Sequence, residues 1–159
     1  MPEPRPIGWS HPAHLLATWF GAGLLPKAPG TWGSLAALPF AWAIAAAGGP
    51  VALLIAASIA LAVGIWVSGV LERASQMKDP GHVVIDEVAG QWLTLVPVAP
   101  DPLLYAIGFV LFRIADIYKP WPANWCDRNL TGGLGVMLDD IAAGAYAAVA
   151  LYFIAEFLL

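Results

Sequence analysis

Three features of the sequence predict an all-α fold, a compact helical bundle integral to a membrane, with about four to five membrane-associated helices and polar connectors on one face. The chain has 159 residues, of which 60% are AVILMFWYC and only 11% are charged, against roughly 25% charged in an ordinary soluble domain. Residues 51–71 and 141–159 are long apolar runs, the first without a charge and the second with Glu156 alone. Finally, thirteen of the eighteen charged residues fall in two windows, 72–87 and 113–140. The length fits one domain covering 1–159.

The elements follow in order. Residues 1–12 contain four prolines and one basic residue, Arg5, which is not a secretory signal and is expected to be retained. Trp9, Leu15, Leu16, Trp19 and Phe20 suit a short helix at a membrane interface. Residues 35–47 are apolar around Pro39, and Gly48, Gly49 and Pro50 turn that segment back on the next as a hairpin. Residues 51–71 then form the most secure span, since about 20 helical residues cross roughly 30 Å of hydrocarbon. Residues 88–98 and 103–115, split by Pro100, Asp101 and Pro102, are each short of that length; either they extend into polar flanks or they penetrate partway. Residues 141–159 complete the set as a second span.

If every apolar segment crosses, parity places the amino terminus and both charged windows on one side, with 48–50 and 100–102 opposite. All seven Lys and Arg then share a face, and the positive-inside rule makes it cytoplasmic. Ionisable groups at membrane depth pair or serve function, so the two connectors are expected to meet in one site.

Net charge is -4, which argues against a nucleic-acid binder. The single cysteine, Cys126, excludes an internal disulfide and a thiolate cluster. Three segments carry dense polarity: KDPGHVVIDE at 78–87, RIADIYKP at 113–120 and GGLGVMLDD at 132–140. Oxygen donors of this kind suit a hard cation, Mg²⁺ in particular, whereas His11, His14 and His82 lack zinc-ligand spacing. Asp86 precedes Gly90 by four residues and Asp140 precedes Gly144 by four. Each carboxylate therefore stacks one turn from a small residue, where two helices pack closely. That would bring Asp86 with Glu87, and Asp139 with Asp140, around one metal. The simpler alternative is that these acids sit in first turns and offset the helix dipole.

Other polar residues have competing explanations. Asp79 before Pro80 reads as a helix cap as well as a reactive carboxylate. Arg113 and Asp116, three apart, pair on one face, yet guanidinium also suits phosphate. Lys119 lies directly before Pro120, at the mouth of a helix. Gly132, Gly133 and Gly135 form either an anion-cradling loop or a flexible connection. Thr31 or Ser34 is expected to cap a helix after Pro29-Gly30. His82 is expected to be a hydrogen-bonded or interfacial residue, and Trp121 and Trp125 to mark the membrane interface.

Four ordered motifs then carry a resemblance: PKAPGTWGS at 26–34, KDPGHVVIDEVAGQW at 78–92, FRIADIYKPWP at 112–122 and GGLGVMLDDIAAG at 132–144. Together they resemble the phosphatidylglycerophosphatase A family, Mg²⁺-dependent bacterial membrane lipid phosphatases, over nearly the full length. The resemblance implies an all-helical enzyme of the bacterial inner membrane, with its site facing the cytoplasm, that converts phosphatidylglycerophosphate to phosphatidylglycerol. It implies acidic site positions at Asp79, Asp86, Glu87, Asp116, Asp139 and Asp140, with Arg113 and Lys119 beside them. The pattern departs at Ala115, where an aromatic residue would precede the aspartate.

On this reading Asp86, Glu87, Asp139 and Asp140 hold Mg²⁺. Lys119 and Arg113 take the phosphate of a bilayer phospholipid, and Asp79 or Asp116 serves as base or nucleophile. Two other functions compete. A cation-coupled transporter could use intramembrane acids, but the polar residues cluster toward one face and no inverted repeat is evident. A CDP-alcohol phosphotransferase would carry D-x-x-D-G-x-x-A-R, which is absent. The sequence leaves the oligomeric state open.

Overall fold

The computed structural model describes residues 8, 11–77 and 80–157. Trp9 and Asp79, both given roles above, lie outside the described residues. All regular structure among the described residues is helical: α1 (Pro12–Ala17), a 3-10 turn (Ala22–Leu24), α2 (Pro29–Ser75), α3 (Ile85–Leu95), α4 (Pro102–Tyr118), α5 (Ala123–Asn129) and α6 (Gly132–Phe157).

The 47-residue α2 is two helices joined at Gly49, whose φ of 70° and ψ of -166° are non-helical. Glycine alone adopts such a conformation cheaply, and Pro50 opens the following helix. The two arms run back on each other. Gly33 on the first packs against Val84 while Gly64 on the second packs against Ile85, so positions 31 residues apart meet adjacent residues. A straight helix would separate them by about 45 Å. The expected hairpin is therefore present. The expected caps are not: Ala28, in the left-handed region, precedes α2 without a side-chain cap, and Ser34 Oγ instead donates to the Gly30 carbonyl at 2.9 Å. Pro29 at the first helical position removes one of the amides a cap would satisfy.

Asp101 caps α4, its Oδ1 accepting from the Leu103 and Leu104 amides at 2.9 and 3.0 Å. Gly49 and Pro50 line one cavity of about 410 Å³ with Pro97, Val98, Ala99 and Pro100. The two turns thus lie together at one end of the bundle. At 11 residues α3 reaches only about 16 Å, and the 17 residues of α4 about 25 Å, so α3 does not cross a bilayer by itself.

The last helix corrects the sequence reading most. It begins at Gly132 rather than near 141, so Gly132, Gly133 and Gly135 form its first turn and not an anion-cradling loop. The reason is packing: a Cβ on Gly133 would collide with the Ile65 carbonyl on α2, and one on Gly135 with the Leu130 carbonyl. Asp139 and Asp140 accordingly sit two turns inside α6, which has no acid in its first turn, and dipole compensation does not explain them.

Two helices, Pro29–Ser75 and Gly132–Phe157, are long and apolar enough to cross a membrane. Phe40, Ile55, Ile59, Val110, Val149 and Phe153 are exposed on the outside of the bundle, as are Trp121 and Trp125. Inside, Leu53, Leu95, Phe112, Met137 and Leu151 are fully buried. Trp92 donates Nε1–H to the Ala37 carbonyl at 3.0 Å, tying α3 to the first arm of α2. Trp19 packs edge-on against both Phe40 and Trp92, which anchors the segment after α1 to the bundle.

Candidate active site

The close approach of α3 and α6 creates the site. A Cβ on Gly144 would fall 2.5 Å from the Gly90 carbonyl oxygen, and one on Gly90 2.7 Å from the Asp140 carbonyl oxygen. The backbones therefore touch where the Asp-x-x-x-Gly spacing placed them. Thr94 Oγ1 donates to the Gly90 carbonyl at 2.9 Å, with the Gly144 carbonyl 3.4 Å away. One turn along each helix the carboxylates converge: Asp86, Glu87 and Asp140 each present an oxygen, all within 4.8 Å of one another.

Such a grouping fits a hard cation. Opposite oxygens around Mg²⁺ stand about 4.2 Å apart, twice a bond of roughly 2.1 Å. Glu87 Oε2 and Asp140 Oδ2 are buried and make no hydrogen bond. Buried carboxylate oxygens are costly without a compensating donor or ion, and three acids at this spacing repel unless a cation joins them.

Arg113 supplies one fixed positive charge. Its Nη1 contacts Asp116 Oδ2 and lies 3.8 Å from Glu87 Oε1, and Asp116 in turn neighbours Asp140. Gly30, at the start of α2, closes this corner, because a Cβ there would overlap Glu87 Oε1 and lie 3.1 Å from Arg113 Nη1.

Asp139 is brought near the group but turned to a different task. Its Oδ2 accepts from Lys119 Nζ at 2.6 Å and its Oδ1 from the Asp140 amide at 3.0 Å. Lys119 also lies 3.2 Å from Asp127 on α5. Burial disfavours the Lys119 ammonium, yet the Asp139 and Asp127 carboxylates outweigh that cost and hold its pKa above the ordinary lysine value. Of the four acids assigned to the metal, three are therefore grouped, and the fourth positions a cation beside them. His82 is stacked on His14 with ring centroids 5.1 Å apart.

Three contributors had no role in the sequence reading. Gly30 could have been suspected from its place in PKAPGTWGS, but nothing local reveals that a glutamate from α3 needs its space. Asp127 was one charge in a polar connector. Gln91, one turn beyond Glu87, is fully buried with neither amide atom hydrogen-bonded.

A family model for phosphatidylglycerophosphatase A matches residues 15–155. The chain belongs to the phosphatidylglycerophosphatase A family. It is 42% identical over 146 residues to a protein of Escherichia coli named phosphatidylglycerophosphatase A, covering 91% of this chain and 84% of that one. A Haemophilus influenzae protein of the same name is 33% identical over 156 residues, covering 98% and 96%. No solved structure matches the chain. The match spans every residue of the converging group, and membership makes this chain a phosphatase associated with membranes.

Proposed function

We propose that this chain hydrolyses the terminal phosphomonoester of phosphatidylglycerophosphate, giving phosphatidylglycerol and phosphate for phospholipid synthesis. The observation that carries the proposal is the acidic trio of Asp86, Glu87 and Asp140 flanked by Arg113 and Lys119, in a chain of this family.

Asp86, Glu87 and Asp140 would hold Mg²⁺. When bound, the ion offsets phosphoryl charge and acidifies water. Lys119 and Arg113 bind the phosphate oxygens, where fixed cations stabilise the charge that develops on transfer. Asp116, held by Arg113, accepts the proton of the attacking water; Asp79 is the alternative base. The P–O bond to the glycerol breaks as the bond to water forms, and the proton that Asp116 took from the water passes to the departing glycerol oxygen, so that the alcohol and inorganic phosphate leave. Asp139 orients Lys119 and keeps it charged.

The protein is proposed to cross the bacterial inner membrane more than once, with this site at the cytoplasmic side. Support comes from the turns at 48–50 and 100–102 meeting at one end, free of Lys and Arg, and from Arg113 and Lys119 clustering with the acids. Acyl chains then remain in the bilayer while the head group reaches the polar end.

The test is phosphate release from phosphatidylglycerophosphate by purified protein, with Mg²⁺ and with EDTA. Turnover that EDTA abolishes and Mg²⁺ restores supports the proposal; ion flux in sealed vesicles without phosphate release would instead favour a transporter.

A further inference from the structure

Beside the polar site, the outer faces of α4 and α6 leave two apolar grooves. The first, of about 390 Å³, is lined by Leu111, Ile114, Ala115 and Tyr118 from α4 and by Tyr146, Ala147 and Ala150 from α6, with Pro120 at its polar end. The second, of about 370 Å³, lies between Pro122 and the face of α6 formed by Ala142, Ala145 and Val149. Tyr146 lines both, and its hydroxyl donates to the Trp121 carbonyl at 2.6 Å. One fixed aromatic ring therefore divides two grooves of nearly equal size.

Residues lining both grooves neighbour the candidate active site along the chain, Ala142 lying two residues past Asp140 and Pro122 three past Lys119. Ala115 directly precedes Asp116, and Tyr118 and Pro120 flank Lys119, whose ammonium reaches Asp139. The upper ends of the grooves are thus next to cations suited to a phosphate, while the lower ends follow α6 through two turns of alanine and valine. Alanine at 115, 142, 145, 147 and 150 makes the hollows; a larger side chain at any of them would fill one. Ala115 is also the position where an aromatic residue was expected.

We propose that the two grooves receive the two acyl chains of the phospholipid substrate, which straddles Tyr146 with its phosphomonoester toward Lys119. The proposal rests on the phosphatase function above and adds where the lipid enters: laterally, between α4 and α6. Burial of methylenes against these walls supplies affinity in proportion to chain length, and the Tyr146 ridge selects a diacyl lipid over a single-chain one.

The experiment compares Ala150→Trp, which blocks the first groove, and Ala145→Trp, which blocks the second, with the parent. Each protein is given dipalmitoyl and dibutanoyl phosphatidylglycerophosphate with Mg²⁺. The expected result is at least a tenfold fall in the ratio of kcat/KM for the long-chain over the short-chain substrate in each variant. A ratio within twofold of the parent overturns the proposal and leaves these faces to other occupants, such as ordinary bilayer lipid or a second copy of the chain. A separate binding readout guards against loss of folding or turnover. Phe153→Cys carrying a bimane dye, at an exposed position one turn beyond Ala150 that lines neither groove, is mixed with phosphatidylglycerophosphate brominated on its acyl chains, or with equally brominated phosphatidylcholine. Stronger quenching by the phosphomonoester lipid supports the grooves even if no phosphate is released, in which case only the phosphatase function fails. Equal quenching by both lipids overturns the proposal.

Discussion

Lys119 and Asp139 form a close ion pair, Nζ to Oδ2 at 2.6 Å, across the space between the end of α4 and the third turn of α6. Because Asp140 is the next residue and belongs to the acidic trio, the pair fixes a cation beside the proposed metal group. Removing that charge by Lys119→Met is expected to cut kcat by about 100-fold, the usual loss when one preorganised donor to a developing oxyanion is deleted. Lys119→Arg should recover part of it. Phosphate-release kinetics of the two variants check this.

The same pair has a pH signature. The folded pKa of Lys119 is raised, burial being outweighed by Asp139 and Asp127. Its stabilisation is fully present below the unfolded lysine value, near 10.4, and is lost as pH rises through the folded value. Asp139→Asn should therefore narrow the difference in melting temperature between pH 8 and strongly alkaline pH relative to the parent, as measured by thermal unfolding in detergent.

Gly30→Ala tests the corner where α2 meets Glu87. The added Cβ would overlap Glu87 Oε1, so the carboxylate or the helix must shift, and displacements of about 1 Å at a reacting centre can cost about 100-fold in rate. Activity should fall by at least tenfold while the melting temperature falls little. An active Gly30→Ala enzyme would show that the Glu87 position is not demanding.

Gly144→Val should separate α3 from α6 at Gly90. Overpacking of this kind costs about 1–3 kcal/mol, and here it also pulls Asp140 away from Asp86 and Glu87. Loss of both stability and turnover is expected. Gly48→Ala, at the opposite end, meets only the Ala52 methyl and should spare turnover.

His14 and His82, stacked and half to fully buried, both have lowered pKa values: burial acts on each, and the His14 charge acts further on His82. Stability is then present above the unfolded histidine value of about 6.5 and lost as pH falls below it. His82→Phe should flatten the acid limb of a melting-temperature profile between pH 7 and pH 5.

The Gly48-Gly49-Pro50 and Pro100-Asp101-Pro102 breaks were enough to anticipate the turns, and the Asp-x-x-x-Gly spacing on two segments the converging helices and the acids they bring together. Both signals are local, and backbone contact at Gly90 and Gly144 follows from the spacing directly. The start of α6 was missed because three glycines in four residues normally break a helix; the packing of Gly133 against Ile65 on α2 is tertiary and leaves no local trace. Asp139 and Asp140 looked equivalent in sequence. Adjacent helical residues point about 100° apart, and only the packing of α6 on α3, with Lys119 just past the end of α4, decides which of them joins Asp86 and Glu87.

The most direct test is Mg²⁺ titration by calorimetry of the parent and of Asp86→Asn, Glu87→Gln and Asp140→Asn, each paired with phosphate release. The expected result is saturable binding in the parent, with affinity and turnover reduced together by at least tenfold in all three variants. Near-parental binding and turnover in Asp86→Asn and Asp140→Asn would contradict a shared ion between α3 and α6.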